Sequence, residues 1–86
     1  RFSEKIGKLN DAKNNWLGVR KTALEAHLSH IAADAGLRVA EIHIQLNNVD
    51  LANEILEKVG KEVKYDLPRE NRRQHLLRLT QNQQGI

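Results

Sequence analysis

The apolar residues from Leu28 to Val63 recur at alternating spacings of four and three residues. Nine of the eleven positions in this alternation are apolar, and the two others are Asn53 and Gly60. A pattern of this kind, kept over about five heptads, is typical of helices that pack along one side. It predicts a partner-packing seam, which consists of Leu28, Ala32, Ala35, Val39, Ile42, Leu46, Val49, Leu56 and Val63.

Glycines and asparagines interrupt this seam. Gly36 costs about 1 kcal/mol relative to alanine inside a helix, and it suits a helix interior, a turn, or the lead-in to a strand from Val39. The Asn47–Asn48 pair before Asp50 is typical of a turn followed by the N-cap of a new helix. Gly60 fits the position just after a helix end. The sequence therefore predicts several helices, joined by tight turns, that contribute to one seam.

The residues before the seam predict a further helix, because their apolar positions are also three and four residues apart. These positions are Ile6, Leu9, Ala12, Trp16 and Val19. Helix propensity is low around Gly18, and Thr22 and Glu25 have the spacing of a capping box. Two alternatives remain, a break at residues 18–21 or one continuous helix.

The residues after the seam predict a short extended piece and a last helix. Apolar and polar residues alternate from Val63 to Leu67, and Pro68 favours the first position of a helix. The helix that follows is basic and amphipathic, and its arginines are candidate contacts for nucleic acid or another anion. They are Arg69, Arg72, Arg73 and Arg78. The polar residues 81–86 are expected to be a frayed tail.

The composition favours helices over a sheet. The 86 residues predict a single small domain or fragment, with one proline and only three aromatic residues. We therefore predict a mostly α fold, either a small helical bundle or a helical hairpin with a coiled-coil-like seam. The alternative is an α+β fold with a short two-stranded piece near residues 39–46 and 62–67, which would need helices packed over it.

Few residues are arranged for chemistry. The chain has no cysteine, which excludes disulfides and thiolate metal sites. His27, His30 and Asp34 could share one helical face, but no further ligand is nearby, so we predict no metal site. We find no catalytic set and no phosphate-binding loop. The sequence therefore predicts a protein that is not an enzyme, with no cofactor and no small-molecule substrate.

One stretch resembles the DNA-binding helix-turn-helix pattern. Its residues are Ile31-Ala32, Ala35-Gly36-Leu37, Ile42 and Leu46-Asn47. The resemblance implies a turn at Gly36 and a recognition helix over residues 38–46, whose Arg38 and Gln45 would contact bases. The sequence departs from the pattern at both residues. Arg38 replaces the usual Ser or Thr cap, and Gln45 occupies a normally apolar position.

The charge distribution disfavours the DNA-binding alternative. The net charge of +3 divides into +2 over residues 1–36, −2 over residues 37–67 and +3 over residues 68–86. Nucleic-acid-binding domains instead concentrate positive charge on the reading element. We therefore predict a non-catalytic helical protein–protein interaction module, a structural or adaptor component that binds a partner protein or a second copy of itself. Binding to nucleic acid is the alternative, and binding to a membrane surface is not expected.

The sequence leaves the cellular compartment open. No apolar run approaches the roughly 18 residues that cross a bilayer, and there is no apolar signal-peptide segment. The chain contains no methionine and starts at Arg1, which is the pattern expected of a trimmed or processed N-terminus.

Overall fold

The described part of the chain folds into four helices. The computed structural model describes residues 2–84, and side-chain burial for residues 5–81. The helices are α1 (Phe2–Glu25), α2 (Ser29–Gln45), α3 (Val49–Glu62) and α4 (Leu67–Gln84), and the described residues contain no strand. The predicted small helical bundle is confirmed. The α+β alternative is wrong, because residues 39–45 belong to α2 and residues 63–66 form a turn.

Helix α1 is continuous over its whole length. It passes through Gly18 to Lys21 without a break, so of the two alternatives the continuous helix is correct. The predicted capping box at Thr22 and Glu25 is wrong, since both residues lie in the last turn of α1. Packing of this helix along α2 outweighs the low propensity of its glycine and asparagines.

Two tight turns of the same type connect the first three helices. After α1, the amide of His27 donates to the Leu24 carbonyl at 3.2 Å, and the Leu28 amide donates to the Ala23 carbonyl at 2.8 Å. This is the Schellman arrangement of a helix end, in which one residue takes a left-handed conformation. Here that residue is His27, with a φ of 60°.

The turn after α2 repeats this geometry and corrects one boundary. Asn47 is left-handed with a φ of 63°, and the Asn48 amide donates to the His43 carbonyl at 2.7 Å. The predicted turn at Asn47–Asn48 is therefore present. However, Asn48 precedes the first residue of α3, so the predicted N-cap at Asp50 is wrong and Asp50 lies in the first helical turn.

The end of α3 and the start of α4 differ from the predicted boundaries. Gly60 does not end α3, which continues to Glu62. The predicted extended piece at residues 63–67 is a turn that leads into α4, and Pro68 is the second residue of α4 instead of its first. Helix α4 also runs through residues 81–84, where a frayed tail was predicted, and the last two residues of that tail lie outside the described part of the chain.

Helix α2 lies at the centre of the bundle and is buried on two adjacent faces. The first face contributes Ala33, Leu37, Ala40 and Ile44 to a core with α3 and α4. The partners in that core are Ala52, Leu56, Val59, Val63 and Leu76. The second face holds the buried α2 members of the predicted seam, which are Ala32, Ala35, Val39 and Ile42. The seam residues of α2 therefore lie on a different face from the α2 residues that pack in the core with α3 and α4.

The remaining seam residues are placed at the ends of helices or in α3. Leu28 is exposed in the connection between α1 and α2, and Leu46 and Val49 are half-buried. Leu56 and Val63 are in the core. Asn53, one of the two positions of the alternation that are not apolar, accepts a hydrogen bond from the Thr80 hydroxyl of α4 at 3.0 Å. Whether the seam residues also pack against a partner protein stays a prediction.

Gly36 is an interior residue of α2, at the point where three helices meet. A Cβ atom at this position would lie 2.5 Å from Val59 Cγ2 of α3 and 2.8 Å from Arg20 Nη1 of α1. The lack of a side chain therefore permits the close approach of both neighbours. A turn at Gly36 is absent, so residues 38–46 do not form the separate recognition helix that the helix-turn-helix resemblance implied.

The buried side chain of Arg20 occupies the space above Gly36. Its Nη1 donates to the Ala32 carbonyl at 2.7 Å and to Glu62 Oε1 at 3.0 Å, and its Nη2 donates to Glu62 Oε2 at 2.5 Å. The side chain of Arg20 is 10% exposed and that of Glu62 is 18% exposed. This bidentate ion pair joins α1 to the C-terminal end of α3.

Arg73 makes a second contact of the same kind between α4 and α3. Its guanidinium carbon lies 3.0 Å from the position of a Cβ on Gly60, and its Nη1 donates to the Leu56 carbonyl at 3.3 Å. In both cases the arginine covers a glycine and bonds the carbonyl four residues before that glycine. Glu70 holds Arg73 in place with two hydrogen bonds, at 2.8 and 2.5 Å, and these bonds lower the pKa of Glu70 to about 2.

Candidate functional site

The outer face of α2 is the floor of a groove between α1 and α4. Its exposed or half-exposed residues recur at spacings of three and four, so they form one stripe along the helix. They are Ile31, Asp34, Arg38, Glu41 and Gln45. Trp16 of α1 borders the stripe on one side, and Arg72, His75 and Leu79 of α4 border it on the other. We call this surface the α2 groove.

Two open depressions make up the α2 groove. The first lies between Trp16 and Arg72, and its floor includes Ile31 and Arg38. The second lies between the C-terminal half of α2 and α4, beside His75 and Leu79. Arg72 lines both depressions, so they adjoin at its side chain. The groove is therefore long enough to contact several residues of a bound chain.

The donors of Arg69, at one end of the groove, are occupied. Its Nε and Nη2 donate to the two carboxylate oxygens of Asp34 at 2.7 and 2.8 Å, and its Nη1 donates to Asp66 at 2.7 Å. These hydrogen bonds, to Asp34 first and then to Asp66, raise the pKa of Arg69. Arg69 is therefore a link between α4 and α2, and within the described residues its guanidinium is already matched by two carboxylates.

Arg38 and Arg72, in contrast, share a single carboxylate. Arg72 Nη2 donates to Glu41 Oε2 at 2.9 Å, and Arg38 Nη1 lies 3.7 Å from the same oxygen. The side chains of Arg38 and Arg72 are 50% and 44% exposed. Two guanidinium groups thus converge on one acid in the middle of the groove, which leaves a surplus of one positive charge and several donors that face solvent.

Apolar surface flanks this charged centre. Trp16 is half-buried beside Ile31, and Ile31 and Leu79 are 38% and 36% exposed. Large apolar side chains that stay partly exposed next to charged groups are typical of surfaces that bind other proteins. The groove therefore offers polar contacts at its centre and apolar contacts on both sides of it.

The predicted contact residues divide between the groove and other surfaces. Arg38, Gln45 and Arg72 line the groove, and Arg69 closes one end of it. Arg73 does not belong to the groove, because it packs on Gly60 of α3. The remaining candidate, Arg78, is exposed on α4 and lines neither depression.

The sequence did not identify six of the groove residues as contacts, and these are Trp16, Ile31, Asp34, Glu41, His75 and Leu79. Trp16 occupies an apolar position of α1, which gives no signal for a binding surface. The signal for Glu41 was its spacing of three from Arg38 and four from Gln45, which puts all three on one helical face. On α4, His75 is three residues from Arg72 and four residues from Leu79, so these three residues also share one helical face.

His43 is a buried titratable residue on the opposite side of α2 from the groove. Its side chain lies near Lys13 of α1, and its Nδ1 has no hydrogen-bond partner among the described residues. Burial, and secondly the positive charge of Lys13, lower the pKa of His43. The imidazole is therefore held in its neutral form inside the bundle.

Acidification is expected to destabilise the protein through His43. Because the folded-state pKa lies below the ordinary value of 6.5, the unfolded chain binds the proton first as the pH falls. The neutral imidazole thus makes its full contribution to the free energy of unfolding above about pH 6.5. This contribution is lost as the pH falls from there towards the folded-state pKa. Urea unfolding of His43→Leu between neutral and mildly acidic pH should show a shallower loss of stability than the parent chain.

The exposed residue His30 provides the control for this measurement. His30→Leu should keep the pH dependence of the parent protein, since it leaves the buried imidazole in place. An unchanged pH dependence in His43→Leu would contradict the assignment.

The histidines considered as metal ligands are not brought together. His27 lies in the turn after α1, and His30 lies in the first turn of α2. Within residues 2–84, no three or more histidine, aspartate or glutamate side chains are grouped to hold a metal ion. Over the same residues, none of the helices combines the length and the apolar character needed to cross a membrane.

Comparisons with known proteins add no assignment to these observations. No protein-family model, no curated protein and no solved structure matches this chain.

Proposed function

We propose that this protein is a non-catalytic interaction module that binds a segment of a partner protein in the α2 groove. The observation that carries the proposal is the combination, on one continuous open surface, of exposed apolar side chains with arginines whose donors are not all used. Arginine and tryptophan are enriched in protein-binding surfaces, where they combine a large contact area with hydrogen bonds that fix the orientation of the partner.

The mixed character of the groove favours a protein segment over duplex DNA. Three of its arginines make ion pairs with Asp34 and Glu41, which reduces the positive field that phosphates would meet. The continuous helix through Gly36 also removes the geometry on which base contacts by Arg38 and Gln45 depended. A structural or adaptor role in a larger assembly is the function that such a surface supports.

Selection of binding peptides from a random library against the full chain tests this proposal. Trp16 is the only tryptophan, so its intrinsic fluorescence reports on binding in the groove without a label. We expect selected peptides to change the Trp16 emission in a saturable way. Leu79→Glu, which places a charge on the apolar wall of the groove, should weaken their binding about tenfold or more.

A matched leucine outside the groove provides the control. Leu51 is 46% exposed near the start of α3, where an added carboxylate is compatible with the helix dipole. Leu51→Glu should therefore leave peptide affinity unchanged. If no peptide is selected, or if both variants bind equally well, the groove is not the binding surface and the proposal fails.

A further inference from the structure

We infer that the partner segment carries an aspartate or glutamate next to a large apolar residue, and that its carboxylate binds between Arg38 and Arg72. This inference rests on the proposed function and names the chemistry of the partner. Its basis is the shared contact of the two guanidinium groups with one oxygen, Glu41 Oε2, at 3.7 and 2.9 Å.

The balance of charge at this point specifies the ligand. Arg38 and Arg72 carry two positive charges and Glu41 supplies one negative charge, so a monoanion bound between the two arginines would balance the charge of these three groups. The neighbouring Arg69 adds no positive charge to this balance, because it already pairs with both Asp34 and Asp66. An aspartate or glutamate carboxylate has that charge near neutral pH, whereas a phosphate group carries closer to two negative charges. The other acid on the floor, Asp34, is occupied by Arg69 at both of its oxygens.

The donors at this point also have the geometry for a carboxylate. Arg72 uses only Nη2, and Arg38 donates no hydrogen bond among the described residues. A guanidinium group presents two parallel N–H donors that match the two oxygens of a carboxylate. Glu41 itself demonstrates that a carboxylate fits beside Arg72.

The neighbouring apolar surface specifies the second feature of the ligand. Trp16 and Ile31 line the same depression as Arg38 and Arg72. A leucine, isoleucine or phenylalanine adjacent to the acid would cover this surface and exclude water from the ion pair. Exclusion of water strengthens charge-assisted hydrogen bonds, because the local dielectric constant falls.

The inference predicts opposite effects for two charge-removing variants. Arg72→Gln should weaken the binding of a selected peptide about tenfold, because it removes a charge-assisted contact. Glu41→Gln should strengthen the binding about two- to fivefold, because it removes the carboxylate that competes for the two arginines. Both affinities can be measured by titration of Trp16 fluorescence with the same N-acetylated, C-amidated peptide.

Two controls separate this effect from general electrostatics. Arg78→Gln removes the same charge from an exposed residue of α4 that lines neither depression, and it should leave the affinity nearly unchanged. Replacement of the peptide's acid by its amide should weaken binding to the parent chain about as much as Arg72→Gln does, and should have little further effect on that variant.

The possible outcomes distinguish the inference from the proposed function. Selected peptides that lack an acid, or that bind equally well to Arg72→Gln, would overturn the inference and leave the groove as the binding surface. Failure to select any peptide sensitive to Leu79→Glu would overturn both. A third outcome is that no peptide binds, whereas duplex DNA binds to the parent chain and not to Arg72→Gln. In that case the partner would be a nucleic acid and not a protein.

Discussion

Replacement of Arg20 by methionine is expected to destabilise the bundle by about 2–4 kcal/mol. Methionine keeps the length and apolar stem of arginine but removes three hydrogen bonds, one to the Ala32 carbonyl and two to Glu62. The Glu62 carboxylate, only 18% exposed, is then left without its partner. An unpaired buried acid costs more than the intact pair contributes.

Chemical denaturation of two further variants checks this explanation. Arg78→Met makes the same change at an exposed residue and should alter the free energy of unfolding by no more than about 0.5 kcal/mol. Arg20→Met combined with Glu62→Gln should recover part of the loss, because the second change removes the unpaired charge. A cost for Arg20→Met no larger than that of Arg78→Met would refute the role assigned to this ion pair.

Alanine substitutions at Gly36 and Gly18 are expected to change stability in opposite directions. Both residues lie in the interior of a helix, where alanine is intrinsically favoured by about 1 kcal/mol. A Cβ on Gly18 would meet no atom within 4 Å, so Gly18→Ala should stabilise the protein by about that amount. Gly36→Ala should instead destabilise it by about 2 kcal/mol, or roughly 10 °C in melting temperature.

The packing around Gly36 explains why its neighbours cannot simply move away. Val59 is fully buried and β-branched, so its side chain has little rotational freedom. The end of Arg20, which is flexible in most settings, is fixed here by its hydrogen bonds. Val59→Ala would make room for the new methyl group, so the double variant should lose less stability than the two single variants together. A stabilising effect of Gly36→Ala would contradict the close approach.

The sequence predicts the helices of this fold better than their contacts. The periodicity predicts helices where α2 and α3 lie, but it counts through residues 46–48, where α2 ends and the chain turns into α3. The face of α2 on which the apolar residues lie does not determine which face of α3 is apolar, because the turn between them changes the direction of the helix axis. As a result the α2 part of the seam packs on one face of that helix, while the core with α3 is formed by neighbours such as Ala33 and Leu37.

Gly36 and Arg20 show why some contacts escape sequence reasoning. A helical glycine is compatible with a turn, a weak point or a close helix contact, and only the neighbouring helices decide among these. Arg20 follows Val19, which the apolar pattern placed on the buried face of α1. In the structure the buried residue is Arg20 and Val19 is 41% exposed. The spacing of Arg20 from Trp16 and Ala23, four and three residues, was the available signal.

The candidate groove is predictable in part. Arg38 and Gln45 share one face of α2 because of helical spacing alone, and the basic character of α4 follows from its arginines. The position of α4 beside that face does not follow from either helix. It depends on contacts between helices, which are the burial of Leu76 in the core with α2 and α3 and ion pairs such as that of Arg69 with Asp34. The last two residues are 35 positions apart in the chain.

The order of packing along the chain has a consequence for how fast the protein folds. Helix α1 packs on α2, α2 on α3, and α4 on both α3 and α2, through connections of three or four residues. Helical domains with such local contacts fold within microseconds to milliseconds. The Arg20–Glu62 pair spans 42 residues and needs α1, α2 and α3 in place, so it forms late. The stability that it adds therefore slows unfolding and leaves the folding rate nearly unchanged.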